Sequence, residues 1–496
     1  MATTQQEMPA EVTTFLSGGP LGGFIGGEEV QASNQERFTT RDPGSSEELA
    51  EVYSLQADDV DRAVGAAAEA FSKSPWATLT PGDRGALLHR LTDAVEDRKA
   101  VFAYLEARDC GKIYGQAEGD VQNFVDTMRY FIELAQHVPA RTTIPVARHE
   151  AWTSRQHWGP CGFIFPWNFP FLLVGWGIAP ALAAGNTVII KPAEDTPLST
   201  LYLARLAKEV GIPDGVINVV PGLGPTAGAA LAGHPGLKRM SFTGSPEVGR
   251  MVGEACGRNL VPVKLELGGK GAAVVFDDSD LPTTVAQLAQ AITFHTGQVC
   301  CDATRWLVQK SIYDEFVQRA VARLQEVMVG YQMDDTTQMG PVVNEKQRRR
   351  ILGYLERGQK EGAEIVLEGG EASVPGHTGC YVKPALLAGS LDNVAAREEI
   401  FGPVAYLAPF TDEAEAVAMA NHTDYGLANS VWTSDLDRAR RVAEAMVAGN
   451  SWINAHNLFP HGVSYAGVNK SGMGGGVLSI DTLMDYYRNT SVVRPL

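Results

Sequence analysis

The sequence predicts an α/β protein: a parallel-sheet domain, a second α/β domain and a small β module. Three observations carry this prediction. The 496 residues exceed what one hydrophobic core supports, so two or three domains are expected. From Cys161 onward, short apolar strands alternate with helical stretches, the pattern of a parallel sheet covered on both faces. Residues 140–158 carry no helical stripe and interrupt two regular regions, so they are expected to leave the body of their domain.

In chain order, residues up to about 44 read as an irregular lead-in followed by short strands. Helical periodicity begins near Asp58. Asp58 and Asp59 make an acidic first turn, and Val60, Ala63, Ala67 and Phe71 form an apolar stripe. A second helix is expected from 81 to about 105 on Leu87, Leu88, Leu91 and Val95, and a third over roughly 120–137. Residues 140–158, with Thr142, Ile144, Val146 and Trp152, suit extended chain. Strands follow at 161–165, 187–191, 215–220, 238–242, 261–267 and 272–276. Helices are expected after Pro170, over 198–210, from about Pro225 and after Gly244. A second run has helices at 281–294, 313–327 and 345–360, a strand at 305–308, and further alternation to about 454. The strand-like tail at 490–493 is a pairing partner for 140–158.

Composition limits the function. Hydrophobic residues make up 45% and charged residues 20%, and the formal net charge is −17. A surface this acidic argues against nucleic acid or anionic membrane as a partner. The six Cys include no CxxC and no zinc-type spacing, so neither a disulfide framework nor a metal site is expected, and a reducing compartment, the cytoplasm, fits. Residues 1–27 lack a basic start and apolar run, so no secretory signal is expected. The longest apolar stretch, 169–184, is broken by Pro170 and Pro180 and is too short to span a membrane.

Several stretches carry chemistry. At 294–301, Gly297, Gln298, Val299, Cys300 and Cys301 place two adjacent thiols behind a glycine; they read either as a nucleophile with a neighbour or as two small buried hydrophobes. In the PWNFP stretch at 166–170, two prolines fix a strand-to-helix turn, and Asn168 either donates to a developing oxyanion or caps the helix. KPAE at 191–194 puts Lys191 and Glu194 at the carboxyl end of a strand. There they form either a solvated pair or a nucleotide contact whose carboxylate takes a ribose diol and repels a 2′-phosphate. The glycines from 222 to 228 miss GxGxxG by one residue. The better phosphate loop is 242–249, with Phe242, Gly244, Gly249 and Ser245 at an expected N-cap. Glu266, in ELGGK, reads as a general base or a surface carboxylate. Glu399 reads as a second ribose contact or a solvated charge.

Taken together, PWNFP, KPAE, FTGS at 242–245, ELGGK at 266–270, GQVC at 297–300, EIFGPV at 399–404 and KSGMG at 470–474 closely resemble the aldehyde dehydrogenase superfamily, from about residue 20 to the C-terminus. Glu266 lies 34 positions before Cys300, as in that family. The resemblance implies a Rossmann-like NAD-binding domain (20–139 and 160–271), a catalytic domain (272–478) and a β oligomerisation module (140–159 and 479–496). It makes Cys300 the nucleophile, Glu266 the general base and Asn168 an oxyanion donor, with Cys301 a structural neighbour. It places Phe165, Trp167, Lys191, Glu194, Gly224, Phe242, Gly244, Ser245, Gly249, Leu267, Glu399 and Phe401 around NAD, in preference to NADP. Phe169, Trp176, Val299, Cys301, Phe459 and Tyr465 would line the substrate tunnel.

The resemblance implies oxidation of a small-molecule aldehyde to an acid by a homodimer or homotetramer. The alternatives are a CoA-acylating relative and a catalytically silent one. No Arg falls where it would grip a second carboxylate, so an apolar or aromatic aldehyde is expected; an aromatic cage for a trimethylammonium aldehyde is the other reading. One departure stands out. Many members carry an Arg-Glu pair after the KSG turn, where this chain has Gly474, Gly475 and Gly476. Glu266 would then act alone or with help from elsewhere, in a loosened loop.

Overall fold

Runs of branched apolar residues form the central parallel strands because both faces of each are covered; every residue of Thr187–Lys191 is buried. The computed structural model describes residues 5–496, so the first four residues of the N-terminal stretch read above lie outside the described residues. An eight-stranded sheet carries five parallel strands in the order Ile217–Val219, Thr187–Lys191, Pro160–Ile164, Arg239–Thr243 and Val263–Glu266. Along the chain these are third, second, first, fourth and fifth. The winding therefore reverses between Pro160–Ile164 and Arg239–Thr243, and a crevice opens at the carboxyl ends of those two strands. Antiparallel strands complete the edges: Gly23–Ile25 and Glu28–Val30 on one side, Gly472–Met473 on the other.

A seven-stranded sheet runs Glu364–Leu367, Ala385–Ala388, Val404–Phe410, Arg305–Gln309, Ala272–Val275, Ala428–Trp432 and Asn450–Ile453, with only the first antiparallel. Ala273 and Val275 pack in one apolar cluster, Ala272 and Val274 in another, so this sheet is also covered on both faces. Arg141–Val146, His149–His157 and Tyr487–Pro495 make a separate antiparallel sheet, in which Val493 stands opposite Ala151. The expected pairing of the tail with 140–158 is thus present.

Three expectations differ from the structure. The lead-in contains a helix, Ala10–Ser17, whose buried Phe15 meets the Tyr202 ring at 5.2 Å. Two turns without a side-chain cap are marginal alone, and tertiary packing holds them. The helix expected over 81–105 is two, Pro81–Asp97 and Lys99–Cys110, broken at Arg98 (φ −106°, ψ 25°). No Gly or Pro marks that break. Near Pro225 the chain makes a wide turn, Gly224–Gly228, and a single helical turn, Ala229–Ala232. Among the described residues, no helix is long and apolar enough to cross a membrane.

Candidate active site

The turn before the thiols is held in an uncommon conformation. His295, Thr296 and Gly297 have φ of 45°, 56° and 68°. A Cβ on Gly297 would collide with the Gly402 backbone and lie 2.6 Å from Pro403 N, so only glycine fits. Gln298 is fully buried and braces the turn: its amide donates to His295 O (3.0 Å) and accepts from Val343 N–H (2.9 Å). Backbone strain of this kind concentrates where a side chain must be aimed. Here the side chain is Cys300.

Cys300 Sγ lies 3.4 Å from Tyr465 Oη, and the Cys301 thiol donates to Asn457 Oδ1 at 3.2 Å. The Cys300 thiol is held below its ordinary pKa, first by hydrogen bonding from Cys301 and then, against burial, by the Tyr465 hydroxyl and its own backbone N–H. Cys301 is pushed well above its own, by the same hydrogen bond and by burial. The two thiols are therefore inequivalent. His295, the one basic residue beside the thiols in sequence, is buried and driven well below the usual imidazole pKa by burial and by the nearby Lys112 charge. It is a neutral ring stacked edge-on to Phe169 at 5.4 Å.

Asn168 does not cap the helix that follows. Its Nδ2 donates to Gln298 O at 2.9 Å, and the cap of Pro170–Ala183 has no side-chain bond. That bond fixes the amide beside the Cys300 loop and leaves its second N–H free. Glu266 ends the strand Val263–Glu266, is 7% exposed, and neither carboxylate oxygen has a hydrogen-bond partner. Burial pushes its pKa up; Lys264 lowers it and Cys300 raises it.

Both expected halves of the site open into one cleft of about 1440 Å3. Phe165, Trp167, Lys191, Glu194, Phe242, Gly244, Ser245, Leu267, Glu399 and Phe401 line one part of it, at the crevice where the winding reverses. Lys191 Nζ contacts Glu194 Oε2 at 2.9 Å. Ser245 caps Pro246–Arg258 by accepting from Val248 N–H at 3.3 Å. Trp167 and Phe401 face each other edge-on at 5.3 Å. Glu399 accepts from Gly269 N–H at 2.9 Å, and burial raises its pKa to about 7.

Phe169, Trp176, Val299, Cys300, Cys301, Phe459 and Tyr465 line the other part. Trp176, Phe459 and Tyr465 form a ring triad with centroids 5.3 to 5.7 Å apart.

Gly224, Gly249 and Glu266 lie outside the lining. Burial would raise the Glu194 pKa, and the Lys191 charge, with a smaller contribution from the Gly224 backbone, holds it below the ordinary value. Gly249 lets its helix approach Leu267, whose Cδ2 would be 2.5 Å from an added Cβ.

The sequence signature of the aldehyde dehydrogenase family matches residues 30–492. The chain belongs to the aldehyde dehydrogenase family. It is 42% identical over 455 residues to retinaldehyde dehydrogenase 3 of Mus musculus, covering 91% of this chain and 88% of that one. An NAD+ complex of aldehyde dehydrogenase from Bacillus cereus superposes with a TM-score of 0.96 at 37% identity, over 99% of this chain and 100% of that one. Betaine aldehyde dehydrogenase from Staphylococcus aureus in complex with NAD+ superposes at 0.94 and 32% identity, over 98% and 97%.

This aldehyde dehydrogenase is an oxidoreductase acting on aldehydes. Sequence reasoning missed part of its cleft. Gln347 and Arg350, on the helix Glu345–Lys360, brace the Glu399 loop: Gln347 Nε2 donates to Phe401 O and Arg350 Nη2 to Glu399 O, each at 2.6 Å. In a helix this polar they read as surface. Asn123 accepts from Trp176 Nε1 at 2.6 Å, and Asp120 lines the cleft in an ion pair with Lys112, whose ammonium lies 3.7 Å over the Phe169 ring. Helix periodicity marks these positions only as inward-facing. The glycine turn is packed rather than loose: Gly474 and Gly475 have φ of 85° and 102°, and Cβ atoms there would strike Val263 O and Asp485 Oδ2.

Proposed function

We propose that the enzyme oxidises an apolar or aromatic aldehyde to the carboxylic acid, with NAD as hydride acceptor, through a thioester on Cys300. One observation carries this reading: Cys300 stands where a dinucleotide-sized crevice and an aromatic throat share one cleft. The Cys300 thiolate attacks the aldehyde carbon, forming the C–S bond of a thiohemiacetal whose oxyanion is held by Asn168 Nδ2–H and the Cys300 N–H. NAD, when bound, supplies the acceptor for the hydride that leaves that carbon, and a thioester remains. Glu266 then takes a proton from water as the water oxygen attacks the thioester carbon; the C–S bond breaks, returning the thiolate and releasing the acid.

The residues present fit NAD. The helix Pro246–Arg258 opens onto the cleft through Ser245, and its first-turn amides suit a pyrophosphate. The pairing of Glu194 with Lys191 suits a ribose diol, and the carboxylate disfavours a 2′-phosphate, so NAD is preferred over NADP. Gln347 and Arg350 hold the Glu399–Phe401 loop for the nicotinamide half. The triad of Trp176, Phe459 and Tyr465 supports an apolar or aromatic substrate.

We assign cofactor binding to 20–139 and 160–271, the supply of Cys300 to 272–478, and assembly of a homodimer or homotetramer to 140–159 with 479–496; the strand Gly472–Met473 crosses this division by joining the first sheet. Ile144 and Val493, apolar and exposed on the small sheet, support that last role. All six Cys are free thiols, which supports a reducing compartment such as the cytoplasm.

An aldehyde panel with NAD, read at the reduced-nicotinamide band, tests the reading. Aromatic aldehydes are expected to give the highest kcat/KM, with free acid as product whether or not CoA is present. Equal turnover by Cys300→Ala, a CoA thioester as product, or a higher kcat/KM with NADP each overturns the corresponding part.

A further inference from the structure

The turn at 474–476 carries no side chains and runs beside the strand that ends in Glu266, against Val263 and Lys264. A Cβ on Gly476 would lie 2.5 Å from Ser464 Oγ and 2.7 Å from Tyr465 O, so no side chain fits there. A charge reaches the base from another direction. Lys264 precedes Glu266 by two positions on the strand Val263–Glu266, so both side chains project from the same face. Lys264 is 2% exposed. Its Nζ makes a long hydrogen bond, 3.4 Å, to Gly476 O. Both Glu266 oxygens lack any partner.

The other charged and titratable groups here are accounted for. Arg239, on the neighbouring strand, pairs with Asp485 at 3.0 Å, and those two face Lys264 with opposite signs. Cys300 and Tyr465 face Glu266 from across the site. Among the described residues, Lys264 is thus the cation whose charge bears on Glu266, and Glu266 is an anion without a hydrogen-bond partner that bears on Lys264.

The geometry points to Lys264 as a positioning residue for thioester hydrolysis, its ammonium holding Glu266 in the carboxylate form that takes a proton from water. This rests on Glu266 being the general base, as proposed above. Burial drives both groups toward neutrality, and each charge offsets part of that cost for the other. The glycine turn fits the same arrangement. It offers Lys264 a carbonyl in place of a competing carboxylate and leaves room for Asp485 to engage Arg239.

The test isolates deacylation and needs no cofactor. Cys300 is acetylated with p-nitrophenyl acetate, excess ester is removed, and loss of the acetyl mass is followed by intact-mass spectrometry across pH. In the wild type, deacylation rises with pH through the Glu266 titration. Lys264→Met and Lys264→Gln, the latter keeping a donor toward Gly476 O, are expected to move that limb about one pH unit alkaline and slow deacylation at neutral pH about tenfold. Lys264→Arg is expected to keep the limb near the wild-type position. A wild-type profile in either folded neutral variant, or an equal shift in Lys264→Arg, overturns the assignment. Glu266→Gln separates the two levels. If it deacylates at the wild-type rate, the general-base reading itself falls; if it is inert while the Lys264 variants behave as wild type, only the role of Lys264 falls.

Discussion

Tyr465 Oη at 3.4 Å and the Cys301 thiol hold Cys300 below its ordinary pKa against a burial that would raise it. Tyr465→Phe removes one of these donors while keeping the ring in the triad. The pH at which Cys300 reacts half-maximally with iodoacetamide is expected to move alkaline, with little change in thermal stability. An unchanged profile would remove Tyr465 from the causes and leave Cys301 and the Cys300 backbone N–H. Asn168 has one N–H committed to Gln298 O and one free for the oxyanion. Loss of a single oxyanion donor costs about 10²–10³ in kcat, and Asn168→Ala should show this in steady-state rates without weakening NAD binding. Burial pushes Glu266 up, and the proposed role as general base needs its deprotonated form. The wild-type deacylation rate should therefore climb with pH through a value above the usual carboxylate range; a rate already flat at pH 6 would contradict this sign.

At the scale of elements, the two turns around the proposed site, 294–301 and 474–476, are each shaped by a close approach. The Cys300 loop needs Gly297 because Gly402 and Pro403 occupy the space of a Cβ. The turn at 474–476 needs Gly475 for a φ of 102° and for the Asp485 carboxylate. Gly475→Ala should destabilise the fold by about 1–3 kcal/mol, measured by urea unfolding, and disturb the Asp485–Arg239 pair. The small sheet is the clearest case of long-range assembly: Tyr487–Pro495 pairs with His149–His157 along nine residues.

In the whole molecule, two sheets share one cleft: Asn168, after a strand of the first, and Cys300, on the loop at 294–301, both line it, and Glu266 ends another strand of the first sheet outside the lining. On the proposed mechanism, turnover depends on how the two sheets sit, and none of the proposed site residues lies on the small antiparallel sheet. Truncation after Asp485 removes the tail strand from that small sheet. Light scattering should report a smaller oligomer than the full chain forms; an unchanged mass would place the principal interface elsewhere.

The α/β class and most element positions were legible in the sequence, because buried parallel strands and amphipathic helices write their periodicity into it. The seven ordered motifs pointed to the family, to Cys300 and to Glu266, because strand-end turns near a reaction centre admit few residues. The break at Arg98 and the helix Ala10–Ser17 were not legible, since neither has a local signal and both depend on packing partners far along the chain. The same holds for the Asn168–Gln298 bond across 130 positions, for the brace from Gln347 and Arg350, and for Lys264 beside Glu266. Lys264 and Glu266 are neighbours in sequence, but that they are buried together, short of partners and backed by a side-chain-free turn is decided by three segments meeting. Sequence names the groups that can react; tertiary burial sets their charges, because desolvation and the neighbours it brings determine which protonation state survives.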